Sequence, residues 1–182
     1  MHGIRNGDDK AFAALYDRYS PRMARYFAVR LGGNQMTVED AVHDLFFKII
    51  DKPHLFDVNK KFSTWIFTVA MNMCKNEYRR RQVRSKEFFL DESEHHTQQF
   101  KFDFDVEQQF DFQLLNTEIN AGLEKLDAAK KDTFIFRFQQ QLSLAEIADI
   151  MNCSVGTVKS RLFYTIRALA DQLEEFNPNV RS

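Results

Sequence analysis

Cysteine is scarce in this sequence: Cys74 and Cys153 are its only two, far apart and each inside a helical pattern. That spacing excludes a disulfide framework, and neither residue sits at a metal-ligand spacing, so both read as buried, reduced thiols. No apolar run approaches the ~20 residues that a membrane helix needs, and the N-terminus lacks the apolar core of a signal peptide. These absences predict a cytoplasmic protein without membrane insertion, and no residue pattern calls for a cofactor. An excess of one charge is missing too, because 25 basic residues stand against 26 acidic ones.

What is present is segregated. From Lys75 to Lys86 the chain is basic, with Glu77 the only acid; from Glu87 to Glu118 it is acidic, with Lys101 the only lysine or arginine. A basic block followed by an acidic one suggests a face for a polyanion and a linker that mimics or avoids one. At 182 residues, 44% of them hydrophobic, the chain suffices for one packed domain or two small ones.

Asp8 and Asp9 can cap a first helix carrying Phe12, Leu15, Tyr16 and Tyr19 on one face. Ser20-Pro21 is expected to break or kink it before a stop at Gly32-Gly33. Thr37 to Asp40 reads as a capping box that opens the next helix, with Val38, Ala41, Val42, Leu45, Phe46, Ile49 and Ile50 as its inner stripe. The opposite side carries Asp40, His43, Asp44, Phe47 and Asp51. A large aromatic among carboxylates on a solvent face marks a protein-binding surface. Two other readings stay open: a solvated acidic face with one stray Phe, or a metal or catalytic group made of Asp40, His43 and Asp44.

Lys52-Pro53 ends that helix, and a loop with Phe56, Asn59 and Lys60-Lys61 leads to the longest periodic stretch, from Phe62 to Gln82. Phe62, Trp65, Ile66, Val69, Ala70 and Met73 form its expected buried stripe. Beside them lie Thr68, Asn72, Lys75, Asn76 and Arg79, followed by Arg80 and Arg81. Amides can hydrogen-bond base edges and the cations can hold phosphates. The preceding loop, with its aromatic and amide groups, suits a pocket for a base extruded from a stack. A core helix with a solvated basic end is the competing reading.

Periodicity fails from about Val83 to Leu114, where phenylalanines are scattered among acids, and an extended linker or a short local hairpin both fit. Helical pattern returns with Leu115, Ile119, Leu123 and Leu126, then Phe134, Ile135 and Phe138. Ser143 to Glu146 is a second capping box, opening a short helix with Leu144, Ile147, Ala148 and Met151 inward. After a turn at Asn152-Cys153, Ser154 caps a helix that buries Val155, Val158, Leu162 and Leu169. Outward it presents Thr157, Lys159, Ser160, Arg161, Phe163, Tyr164 and Arg167. This is the pattern of a helix-turn-helix with its second helix sized for a major groove.

Three motifs, Glu39-Asp-Ala-Val-His-Asp-Leu-Phe, Phe62-Ser-Thr-Trp-Ile with Ala-Met-Asn72, and Leu144-Ala-Glu-Ile-Ala with Val155-Gly-Thr-Val-Lys-Ser-Arg, occur in this order. Together they resemble the extracytoplasmic-function (ECF) sigma factors of bacterial RNA polymerase, over nearly the whole chain. The resemblance implies an all-α protein of two small helical domains, region two (1–84) and region four (114–176), joined by an extended acidic linker (85–113). It implies a non-enzymatic initiation factor that binds core RNA polymerase and promoter DNA and is restrained by an anti-sigma factor. Asp40, His43, Asp44 and Phe47 would then hold a coiled coil of the largest polymerase subunit, with the flap as a further contact. Family members usually carry Gln where this chain has His43. Phe62, Trp65, Asn72, Lys75, Asn76, Arg79 and Arg80 would read and melt the minus-ten element. Thr157, Lys159, Ser160, Arg161, Phe163 and Arg167 would read the minus-thirty-five element, with Tyr164 where many relatives have a basic residue. The rivals are a free-standing helix-turn-helix regulator, which leaves the Phe47 and Asn72 faces without purpose, and a metal-dependent nucleic-acid enzyme.

Overall fold

Asp8 fixes where the first long helix begins. In the computed structural model, which describes residues 1–32, 35–87 and 119–175, its carboxylate accepts hydrogen bonds from the backbone N–H groups of Lys10 and Ala11 at 2.9 and 3.1 Å. Those donors have no partner within the helix, and the cap satisfies them. A single turn, α1 (His2–Arg5), precedes α2 (Asp9–Leu31), which ends where Gly32 takes a φ of 58°, a left-handed conformation that glycine adopts at little cost. The expected break at Ser20-Pro21 does not occur, and α2 runs through Pro21 unbroken. Pro21 and Asp17 both lie on the exposed side, so water can satisfy the Asp17 carbonyl that proline deprives of its donor.

Helix α3 (Gln35–Asp51) begins two residues before the expected capping box, so Thr37 lies inside it. Gln35 donates from Nε2 to Glu39 Oε1 at 2.7 Å, a pair one turn apart that supports the first turn. Val38, Val42, Leu45, Phe46 and Ile49 are buried as the spacing predicts, but Ile50 is 48% exposed. One residue beyond Ile49, it is carried about 100° round the helix and off the buried stripe. A short turn of 3-10 helix (Pro53–Leu55) follows, and Arg5 fastens it with hydrogen bonds to the carbonyls of Pro53 and Phe56 at 3.3 and 2.5 Å.

Helix α4 (Phe62–Glu87) buries Ile66, Phe67, Ala70, Met71 and Cys74. The buried stripe is therefore turned toward Phe67 and Met71, and the expected members Phe62, Trp65, Val69 and Met73 are half-buried. Both sets satisfy helical spacing, and neighbours decide between them. Tyr26 meets the Phe67 ring edge-on at 6.0 Å, and the Arg22 guanidinium lies 5.2 Å from its centroid. Near the far end of α4, Tyr78 Oη donates to the Arg30 carbonyl at 2.8 Å and Arg81 Nη1 to the Leu31 carbonyl at 3.0 Å, closing the end of α2.

These helices belong to the first of two compact units, Met1–Phe100; the second is Lys101–Ser182. In the second, α5 (residues 119–124) approaches the last helix closely at Gly122, where a methyl group would stand 2.5 Å from Leu169 Cδ2. Asp127 caps α6 (Ala128–Phe134), accepting from the Lys130 backbone N–H at 2.9 Å, and that hydrogen bond holds its carboxyl below the ordinary value of 3.8. A π-turn (Ile135–Gln139) follows, with the Gln140 N–H reaching the Ile135 carbonyl at 3.0 Å. The wider turn shifts the pattern, so Phe138, expected inward, is exposed.

Helix α7 (Leu144–Met151) opens with the predicted capping box: Ser143 Oγ accepts from the Glu146 N–H at 3.2 Å while Glu146 Oε2 accepts from the Ser143 N–H at 3.0 Å. Ser143→Ala is expected to lower the stability of this unit by about 1 kcal/mol. The shift of a urea unfolding midpoint measures this, and an unmoved midpoint would deny the cap its role. Asn152 ends α7 in a left-handed conformation with φ 49°. Ser154 Oγ then accepts from the Thr157 N–H at 3.0 Å at the start of α8 (Val155–Glu175). Val158, Leu162 and Leu169 are buried as expected, joined by Thr165, whereas Val155 is 39% exposed because it stands at the helix entrance before the stripe reaches the core.

Among the described residues every regular element is helical and none is a strand. The acidic linker lies outside them, apart from residues 85–87, which form the end of α4.

Candidate protein and nucleic-acid interfaces

The buried stripe of α3 fixes which way its other side faces. Asp40, His43, Asp44, Phe47 and Asp51 are all exposed, Phe47 at 68%. Asp40, His43 and Asp44 form no hydrogen bond or ion pair with any described residue. Met36 and Ile50 are also exposed, and they extend the row to Met36, Asp40, His43, Phe47 and Ile50. The sequence reading missed Met36 and turned Ile50 inward. The signal that finds both is the alternation of four- and three-residue steps from Phe47 in each direction. Among the described residues no three His, Cys, Asp or Glu side chains are placed to hold a metal ion.

On α4, Asn72, Lys75, Asn76, Arg79 and Arg80 are exposed and make no hydrogen bond or ion pair with described residues. Their amides and cations are therefore available to a ligand. Two neighbours are not. Thr68 is half-buried and donates from Oγ1 to the Thr64 carbonyl at 2.9 Å. Arg81 is engaged by Glu77 at 3.2 Å as well as by the end of α2. At the start of the helix, Phe62 and Trp65 sit half-buried 5.6 Å apart. Phe56 lies 5.5 and 5.3 Å from them, and Tyr19 lies 5.1 Å from Phe62. Phe56 is itself buried, so it supports Phe62 and Trp65 from beneath and is not the pocket wall expected of it. Asn59 is committed to a tight turn, with its backbone and side-chain N–H groups donating to Asp57 Oδ1 at 3.0 and 3.2 Å.

The six candidates on α8 divide in the same manner. Lys159, Phe163 and Arg167 are exposed, with Phe163 at 61% and its ring 5.4 Å from that of Tyr164. Ser160 is exposed and donates to the Thr157 carbonyl at 3.0 Å, which leaves its lone pairs to accept. Thr157 and Arg161 are half-buried. The Thr157 hydroxyl lies 2.9 Å from Ser154 Oγ in the cap. Arg161 reaches Cys153 Sγ and Met151 Sδ at 3.6 and 3.9 Å, joining α8 to the turn. Cys153 is thus only half-buried, unlike Cys74, because the turn leaves one side of it open.

Comparison with known proteins agrees with this architecture. Sigma-70 region 2 matches residues 15–84, and sigma-70 region 4 matches residues 117–169. The chain is 32% identical over 176 residues to the ECF RNA polymerase sigma factor SigL of Mycobacterium tuberculosis, covering 96% of each chain. It is 28% identical over 180 residues to SigW of Bacillus subtilis, covering 94% of each. Among solved structures, the fold is similar to that of CnrH bound to the cytosolic domain of CnrY, with a TM-score of 0.69, 21% identity and coverage of 96% of this chain and 94% of the other. It is also similar to RpoE bound to the anti-sigma factor NepR from Bartonella quintana, with a TM-score of 0.70, 23% identity and coverage of 91% and 98%. The chain belongs to the ECF sigma factors, and it directs bacterial RNA polymerase to promoter DNA in transcription initiation. No helix among the described residues is long and apolar enough to cross a membrane.

Proposed function

We propose that this sigma factor acts as a non-enzymatic initiation factor in the cytoplasm, dividing the work among the faces of α3, α4 and α8. The observation that carries the reading is the α4 face, where unengaged amides and cations lie in one helical row with a half-buried aromatic pair at its head. Asn72 takes a base flipped out of the minus-ten element, beside Phe62 and Trp65. Lys75, Asn76, Arg79 and Arg80 hold the strand around it. The captured base favours the melted state over the duplex, so melting follows from a difference in binding free energy and needs no catalytic group.

The α3 row supports a helical partner. Met36, Asp40, His43, Phe47 and Ile50 follow in steps of four, three, four and three residues, the repeat by which one helix seats against a coiled coil. With Asp44 beside them, the carboxylates favour a basic coiled coil of the largest polymerase subunit. On α8, Lys159, Ser160, Phe163 and Arg167 read the minus-thirty-five element, while Thr157 and Arg161 hold the reading helix in place. This second unit would also meet the polymerase flap. Residues 1–84 and 114–176 are the proposed functional domains, and an anti-sigma factor is the proposed restraint.

Transcription from a random-sequence promoter library with core polymerase, with and without this chain, tests the reading. Start sites appearing only with the chain present, and sharing two spaced elements, are the expected result. Duplex binding without polymerase, and no new starts, would favour a free-standing regulator.

A further inference from the structure

Helix α2 carries two exposed cations, Arg18 and Arg25, that neither the fold nor the surfaces described so far employ. Arg18, Arg22 and Arg25 follow at four- and three-residue steps, which places them on one side of the helix. Arg18 and Arg25 are exposed and form no hydrogen bond or ion pair with any described residue. None of the three has an acid three or four residues away on α2. At the three- and four-residue spacing of one helix side their charged neighbours on α2 are one another, an arrangement that costs stability. Asp17, the nearest acid in sequence, points about 100° away from Arg18. A surface helix selected for stability alone would alternate its charges.

The position of the row suggests what relieves this repulsion. The Arg22 guanidinium stands 5.2 Å over the Phe67 ring of α4. Four and eight residues beyond Phe67 come the buried Met71 and the exposed Lys75, which stand about 40° and about 80° round α4 from it. Arg22 thus ties the α2 row to α4 at Phe67, and from there α4 turns through Lys75 into the face assigned to the minus-ten element.

We infer that Arg18 and Arg25, with Arg22 as their anchor against Phe67, form a second track for the phosphate backbone of the DNA strand whose bases α4 reads. This rests on the proposed role of α4. Guanidinium groups on a helix side recognise phosphates irrespective of base, so the track adds affinity without selectivity.

The test uses the full chain bound to core polymerase and random-sequence DNA carrying a bubble of mismatched bases, titrated between 50 and 200 mM salt. Each phosphate contact steepens the salt dependence. Over that range the wild type is expected to lose about tenfold more affinity than an Arg18→Ala/Arg25→Ala double variant, which removes two contacts. An Arg18→Lys/Arg25→Lys variant keeps the charges and is expected to retain the wild-type slope. Parallel slopes for the alanine variant and the wild type would overturn the track. So would a lysine variant as shallow as the alanine one, since the loss would then follow from the fold and not from charge. The role of α4 is judged separately, by whether Asn72→Ala lowers the preference for matched over scrambled promoters. Either result can fail while the other holds.

Discussion

Asp44→Arg is expected to abolish stable binding to core polymerase. The carboxylate is exposed on α3 and has no partner among the described residues, so in the free protein it does nothing that arginine would undo. The new guanidinium would stand one turn from Asp40 and one turn from Lys48, so a weak attraction and a weak repulsion offset each other and stability should stay within about 0.5 kcal/mol of the wild type. At a basic partner surface the change replaces an attraction with a like-charge contact. That costs several kcal/mol, and about 3 kcal/mol is already more than a hundredfold in affinity. Co-elution with core polymerase and a fluorescence titration measure it. Wild-type affinity in the variant would remove α3 from the polymerase interface. Phe47→Ala, which deletes the apolar centre of the same row, would then be tested for a smaller loss of the same kind.

The second large effect is expected at Asn72. Substitution by alanine does not harm the helix, since alanine is the better helix former by several tenths of a kcal/mol and the amide makes no hydrogen bond with any described residue. What is expected to be lost is the proposed contact to an unstacked base, worth about 1–3 kcal/mol for a well-aligned amide, or roughly five- to 150-fold in the equilibrium between open and closed complex. Permanganate reactivity of unpaired thymines near the start site reports that population, while binding to core polymerase is expected to remain unchanged. Equal loss of both would mean that Asn72 belongs to the polymerase contact or to the fold. Together the two variants form a crossed pair, one losing the polymerase and the other losing melting.

The sequence was legible wherever one helix face is plainly apolar and a cap marks its start. The stripe of α3 from Val38 to Ile49, the Ser143 box and the turn at Asn152 are of this kind. Reading failed where two local solutions were equally good. Phe62-Trp65-Val69 and Phe67-Met71-Cys74 both satisfy the helical period on α4, and only Tyr26 and Arg22 of another helix decide between them. Pro21 is a strong local breaker, but its freed carbonyl faces water and the packed second half of α2 prevails. The π-turn that turns Phe138 outward has no marker residue. For the candidate surfaces, residue type alone could not separate cations that are free from those already engaged. Arg79, Arg80 and Arg81 read alike in sequence, but Arg81 is held by Glu77 and the Leu31 carbonyl, and Arg161 by a thiol and a thioether. The linker phenylalanines lie outside the described residues.

The contacts at the two ends of α4 bear on the thermodynamics of base capture. Phe62 and Trp65 are wedged among Phe56 and Tyr19 at its start, and Tyr78 and Arg81 are bonded to the end of α2 near its finish. A rod pinned at both ends cannot swivel about its own axis, so the azimuth of Asn72, between the pins, is set before any DNA arrives. In the proposed capture, the entropy cost would then fall almost wholly on the nucleotide, which must leave its stack, and scarcely on the protein. Loosening the pins at Tyr19, Phe56 or Tyr78, none of them assigned a contact to DNA, is then expected to weaken capture.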